Sequence, residues 1–251
     1  MTAPLVVAGA AAAGAVAGAG VGWLAVVLEG VERLRQEEDD ERRQFEQEVA
    51  KTREAALAKG EQPPAAPVWQ GERYGWSWLE RLLAPLLGAL GFALFTWHGP
   101  IDGGLLIHLF WITVFVHIVV FDLKHRLILN RVTYPCVLLA LAVSPVSPGL
   151  TIVSSLIGGA AVLLFFYLQN VISRGSIGLG DVKLGALVGA VTGAGPDVSH
   201  LGAAYAVIYA IFLGAGVALA LLVLRLRGLK DAIPYGPFLC AGAAIILYLG
   251  P

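Results

Sequence analysis

Residues 103–126 read GGLLIHLFWITVFVHIVVFDLKHR. From Gly103 to Phe121 there is no Asp, Glu, Lys or Arg, and then Asp122, Lys124 and Arg126 arrive within five residues. About 20 apolar residues cross a bilayer as a helix. A run this continuous, without polar alternation, is a helix and not a barrel strand. Seven more apolar runs flank it, at 4–28, 79–98, 132–146, 150–172, 184–194, 200–224 and 233–250. The chain is 57% hydrophobic and 14% charged, against about 25% charged for soluble domains. The fold class read from this is all-α: a polytopic membrane helix bundle of about eight transmembrane helices with one charged cytoplasmic loop. The runs at 132–146 and 184–194 are short for a span, so tilt, extension at the ends or partial re-entry is expected there.

Working outward, the chain divides into a first transmembrane helix (1–28), a charged helical loop (29–78) and a transmembrane core (79–251). The first run is too long for a signal-peptide core and lacks a basic flank, so it is read as a retained helix. The Lys and Arg residues number 17. They fall in the connections after the first, third, fifth and seventh runs, or at helix starts facing them. The positive-inside rule makes those connections cytoplasmic and puts both termini outside. Net charge is −1, which points to no nucleic-acid partner. Cys136 and Cys240 form no CxxC pair, which argues against a cysteine-bound zinc.

Glu32–Lys59 is rich in helix formers, with i,i+4 attraction at Glu38–Arg42 and Asp39–Arg43 and repulsion at Glu37–Glu41. The stretch 62–67 (QPPAAP) breaks it as a stiff linker. The loop reads as a spacer or a docking surface. Gly9, Gly14, Gly18 and Gly22, with Gly185 and Gly189, are spaced for close helix packing. Trp76, Trp78 and Trp111 fit packing or an interfacial belt.

Ionisable groups at membrane depth are candidates for function. Asp122 ends the third run, and Asp181 precedes the sixth in Gly178-Leu179-Gly180-Asp181-Val182-Lys183. The topology brings both to one membrane level. Two neighbouring carboxylates hold one proton between them, which suits peptide hydrolysis without metal or covalent intermediate. Asp181 could instead cap the sixth helix. Glu80 at a helix start is a candidate substrate contact. Lys124 and Lys183 are read as snorkelling cations. His108 and His117 are expected as buried, hydrogen-bonded histidines facing one way. Pro234, Gly236 and Pro237 break the start of the last helix beside a cavity.

Several motifs resemble those of the type IV prepilin peptidases, intramembrane aspartyl proteases. Gly178-Leu179-Gly180-Asp181-Val182-Lys183-Leu184 is similar to the family's GxGD signature. Phe121 to Asn130 is similar to its first aspartate motif, with Leu129 where proline is common. Ile233-Pro234-Tyr235-Gly236-Pro237-Phe238-Leu239 is similar to its terminal segment, and Arg73-Tyr74 through Glu80 to the stretch opening the second helix. Gly22 to Val27 loosely resembles its opening segment.

The resemblance implies catalytic Asp122 and Asp181. It also implies substrate-binding roles for Gly178, Gly180, Lys183, Glu80, Pro234, Gly236 and Pro237. The substrate would be a prepilin or pseudopilin, cut after a leader glycine on the cytoplasmic side of a bacterial inner membrane. Pilus or secretion assembly machinery would be nearby partners. Family members usually carry two CxxC pairs in the first loop, linked with zinc and N-methylation. This loop has no cysteine, so zinc is not expected, and methylation with S-adenosylmethionine stands as an alternative activity. A presenilin-like or preflagellin protease, a transporter and a non-catalytic scaffold are the competing readings.

Overall fold

The structure, a computed structural model, describes residues 3–31, 34–58, 62, 76–174, 177–195, 201–226 and 233–250. Its helices are α1 (Pro4–Val31), α2 (Leu34–Ala58), α3 (Ala84–His98), α4 (Gly103–His125), α5 (Asn130–Val143), α6 (Ile152–Ile172), α7 (Leu179–Thr192), α8 (Gly202–Val223) and α9 (Gly236–Leu249). A π-turn, Leu79–Leu83, leads into α3, and a 3-10 turn, Ser144–Val146, follows α5. Each apolar run of the sequence becomes one helix. The chain is a multi-pass membrane helix bundle: α1, the π-turn with α3, α4, α6 and α8 are each long and apolar enough to cross a bilayer.

Polar residues set the helix ends. The Asp102 side chain accepts from the Leu105 N–H at 3.0 Å and starts α4. Thr151 and Ser154 form a reciprocal capping box at α6. Arg126 ends α4 in the left-handed conformation, φ 53°, placing a cation at the negative end of the helix dipole.

Close packing organises the bundle. The tightest neighbours are α1 with α3, α6 with α7, and α8 with α9, while α4 touches α1, α3 and α9. Lipid is as apolar as leucine, so such contacts depend on close approach more than on the hydrophobic effect. The glycines supply that approach. A Cβ built on Gly14 would meet the Gly88 carbonyl oxygen at 2.2 Å, and one on Gly18 the Ala84 oxygen at 2.2 Å. One on Gly189 would meet the Gly158 oxygen at 2.2 Å, and one on Gly185 the Phe166 ring at 2.7 Å. Gly9 lies off this seam and faces open space. Its five-residue spacing from Gly14 turns it away from a stripe of period four.

The short sixth run is the centre of the molecule. α7 is 14 residues long, about 21 Å at 1.5 Å per residue, against about 30 Å of hydrocarbon. Every residue from Leu184 to Thr192 is buried, walled by α5, α6, α8 and α9. Protein, not lipid, surrounds it, so it needs neither the length nor the one-sided pattern of a lipid-facing span.

α2 is a charged helix. Its Arg42–Glu46 pair, 2.9 Å and exposed, contributes about 0.3–0.5 kcal/mol. The side-chain pairs expected at 37–43, all but Gln62 of the linker at 62–67, and the Arg73-Tyr74 motif lie outside the described residues. Trp111 is buried in the core, while Trp76 and Trp78 are exposed.

Gly189→Ala is expected to destabilise the bundle by at least about 1–3 kcal/mol, because its methyl would collide with backbone. Gly20→Ala, with nothing within 4 Å of its Cβ, is expected to be neutral. Thermal unfolding in detergent distinguishes them, and equal melting temperatures would refute the α6–α7 seam.

Candidate active site

One end of the bundle carries a cavity of about 480 Å³, lined by Asp122, Arg126, Leu127, Ile128, Asn130, Gly178, Leu179, Gly180, Asp181, Lys183, Ile233, Pro234 and Tyr235. These residues come from the C-terminal end of α4 and the N-terminal ends of α5 and α7, with the approach to α9. Both acids therefore line one space. Its volume falls within the roughly 300–1,000 Å³ of ligand pockets.

Asp122 is 4% exposed. Its Oδ2 accepts the N–H of Gly236, the first residue of α9, at 3.1 Å. A Cβ on Gly236 would stand 2.5 Å from that oxygen, so glycine is what lets the backbone reach the acid. The helix break around Pro234 thus presents an amide to Asp122.

Asp181 stands in the first turn of α7, and Gly178, not Asp181, is the N-cap. The Asp181 carboxylate lies beside that N-cap: a Cβ built on Gly178 would stand 3.7 Å from Asp181 Oδ2. A Cβ on Gly180 would stand 3.3 Å from Ile128 Cβ, so this glycine admits the Leu127–Ile128 turn against α7. Lys183 donates to Asn130 Oδ1 at 2.8 Å, and its Nζ lies 5.5 Å from the Tyr134 ring centroid. It is held against α5 beside the cavity.

The structure gathers Asp122, Gly178, Gly180, Asp181, Lys183 and Pro234 on one lining and sets Gly236 behind Asp122. Pro237 is in the first turn of α9. Glu80 is elsewhere: it is 1% exposed and pairs with Lys124 at 2.7 Å on the α1–α3 side of α4. Lys124 does not snorkel. Its side chain is 7% exposed and reaches Glu29 at 2.5 Å as well. Removing one member of such a buried set costs about 3–5 kcal/mol.

His108 and His117 do not face one way. Nine residues are two and a half turns. His117 is buried, its ring against Phe121, and His108 packs on Phe95 beside a second cavity lined by Asp102 and Tyr248. Arg126, Asn130 and Tyr235 join the lining from inside stretches whose motifs were read for other residues.

Two carboxylates on the lining of one cavity define a candidate aspartyl hydrolase site in a membrane bundle. Residues 109–219 match the Type IV leader peptidase family, a span that holds both acids and ends before α9. The chain is 30% identical over 139 residues to the prepilin leader peptidase/N-methyltransferase of Bacillus subtilis (strain 168), covering 55% of this chain and 53% of that protein. It is 35% identical over 98 residues to the protein of the same name from Vibrio cholerae, covering 37% and 38%. The chain thus spans about half or less of the length of these curated relatives. No solved structure matches it.

Gly236→Ala is expected to push the Asp122 carboxylate aside or shift α9, costing about 1–3 kcal/mol. The check is a melting curve. A wild-type melting temperature would mean that the Gly236–Asp122 contact does not constrain the site.

Proposed function

We propose that this protein is an intramembrane aspartyl endopeptidase that removes the leader peptide of type IV prepilins or pseudopilins. The observation that carries the reading is the shared cavity of Asp122 and Asp181, within the span that matches the leader peptidase family. The relatives' names supply the substrate class.

The geometry suits a proton-shared pair. Two carboxylates facing one low-dielectric space hold one proton between them, and the pair titrates as a unit. The ionised member takes a proton from water, whose oxygen attacks the scissile carbonyl carbon. The protonated member gives its proton to the carbonyl oxygen. Collapse of the tetrahedral species breaks the C–N bond, and the amine leaves with a proton from the pair. The Gly236 amide donates to Asp122 Oδ2 and holds that carboxyl in place. This chemistry uses no metal and no cofactor.

The charge pattern supports a cavity that opens to the cytoplasm. Arg126, Lys183 and Arg131 cluster at the end of the bundle where the acids sit, as the positive-inside rule requires of a cytoplasmic face. A prepilin would lie in an inner membrane by its apolar helix, with its leader entering from that face. The acids gather at one end of the bundle, which favours a peptidase over a transporter with midplane acids. The relatives' names also include N-methyltransferase. Methylation of the new amino terminus with S-adenosylmethionine is the second reading.

The test is cleavage of a prepilin-type substrate in liposomes with S-adenosylmethionine supplied, with product masses read by mass spectrometry. Wild type is expected to cut after the leader glycine. Asp122→Asn and Asp181→Asn, each still folded, are expected to lose at least about 10²–10⁴-fold in rate. Unchanged rates in both variants would remove the dyad, and a product heavier by one methyl would establish the second reading.

A further inference from the structure

Lys124 follows Asp122 by two residues, about 200° round the helix. The acid faces the cavity and the lysine faces α1 and the π-turn. Nζ of Lys124 lies 2.5 Å from Glu29 Oε1 and 2.7 Å from Glu80 Oε1. Nε2 of His125 lies 2.9 Å from the same Glu29 oxygen. The other Glu80 oxygen accepts from the Ser77 N–H at 2.8 Å and from the Ser77 hydroxyl. Glu29 is 0% and Glu80 1% exposed.

A buried ionic set is a poor choice for stability alone, since apolar side chains of the same volume do as well or better. Its best-attested use is to fix register. Here it fixes three segments at one point. Glu29 stands in the last turn of α1, where the charged excursion departs, and Ser77–Glu80 stands where the excursion returns. Glu80 lies in the π-turn Leu79–Leu83, a kind of turn that is frequent at functional sites. Both feet of the excursion thus close on the last turn of α4, the turn that presents Asp122.

We propose that Glu29, Glu80 and Lys124 are positioning residues: the clasp they form sets the place of Asp122 in the cavity. This rests on the reading of Asp122 and Asp181 as a peptidase pair. The clasp works from behind, while the Gly236 amide holds the acid in front. A displacement of about 1 Å at a reacting group can cost about 10²-fold in rate, so slack in this turn reaches the chemistry without any contact to substrate.

The experiment compares wild type with Lys124→Met, Lys124→Arg and the triple variant E29Q/E80Q/K124M, which leaves none of the three clasp charges buried alone. Three quantities are measured: melting temperature, kcat and KM on a prepilin-type substrate, and the rate at which a hydrophobic carbodiimide labels Asp122. The last needs no substrate. The triple variant is expected to fold, to lose at least about tenfold in kcat with KM within about twofold, and to change its Asp122 labelling rate by about threefold or more. Lys124→Arg is expected to recover at least about a third of wild-type kcat. Wild-type kcat and labelling in the folded triple variant would overturn the proposal, as would Lys124→Arg being as slow as Lys124→Met. If wild type cuts no prepilin leader but labelling still changes in the triple variant, the clasp stands and the substrate reading falls.

Discussion

The 3.1 Å hydrogen bond from Gly236 to Asp122 joins residues 114 positions apart. It requires the C-terminal end of α4 and the N-terminal end of α9 to meet at one depth. The same depth must hold the start of α7, because Asp181 shares the cavity. Much of the bundle follows from this constraint. α7 is short and enclosed from Leu184 to Thr192, since it carries Asp181 into the protein and does not face lipid. Glycine seams at α6–α7 and α1–α3 draw the backbones close enough for the ends to converge. Ordinary side chains at Gly158 and Gly189 would hold those helices apart by the width of a methyl group or more.

Two kinds of polar structure stand back to back on α4. On the cavity side, Asp122 is buried with one amide donor among the described residues, an arrangement that leaves a carboxylate available for proton transfer. On the other side, Lys124 is tied to Glu29 and Glu80 as an ion pair, and His125 to Glu29. The first arrangement keeps reactivity and the second holds register. A bilayer makes both expensive, and protein packing around each is what allows them.

Much of this was legible in the sequence. The eight apolar runs, the two acids at one level and the break before the last helix all follow from local composition and charge placement. What was not legible shares one physical cause: it depends on contacts between distant segments. Lys124 near a helix end reads as a snorkelling cation until Glu29, 95 residues away, is brought within 2.5 Å. Glu80 reads as a cleft carboxylate until the fold pairs it with that lysine. Gly9 matches the small-residue pattern yet faces open space. His108 and His117 diverge because nine residues leave a half-turn. The role of Gly236 is a distance to Asp122 that no local pattern encodes.

The central claim is that Asp122 and Asp181 work as one unit holding one proton. The most direct measurement is the pH dependence of kcat/KM for leader cleavage in liposomes. A shared-proton pair predicts a bell, with activity falling by a factor of ten per pH unit on both sides as the pair gains its second proton or loses its last. A profile with only one limb would contradict the account, because a single titrating carboxylate would then suffice.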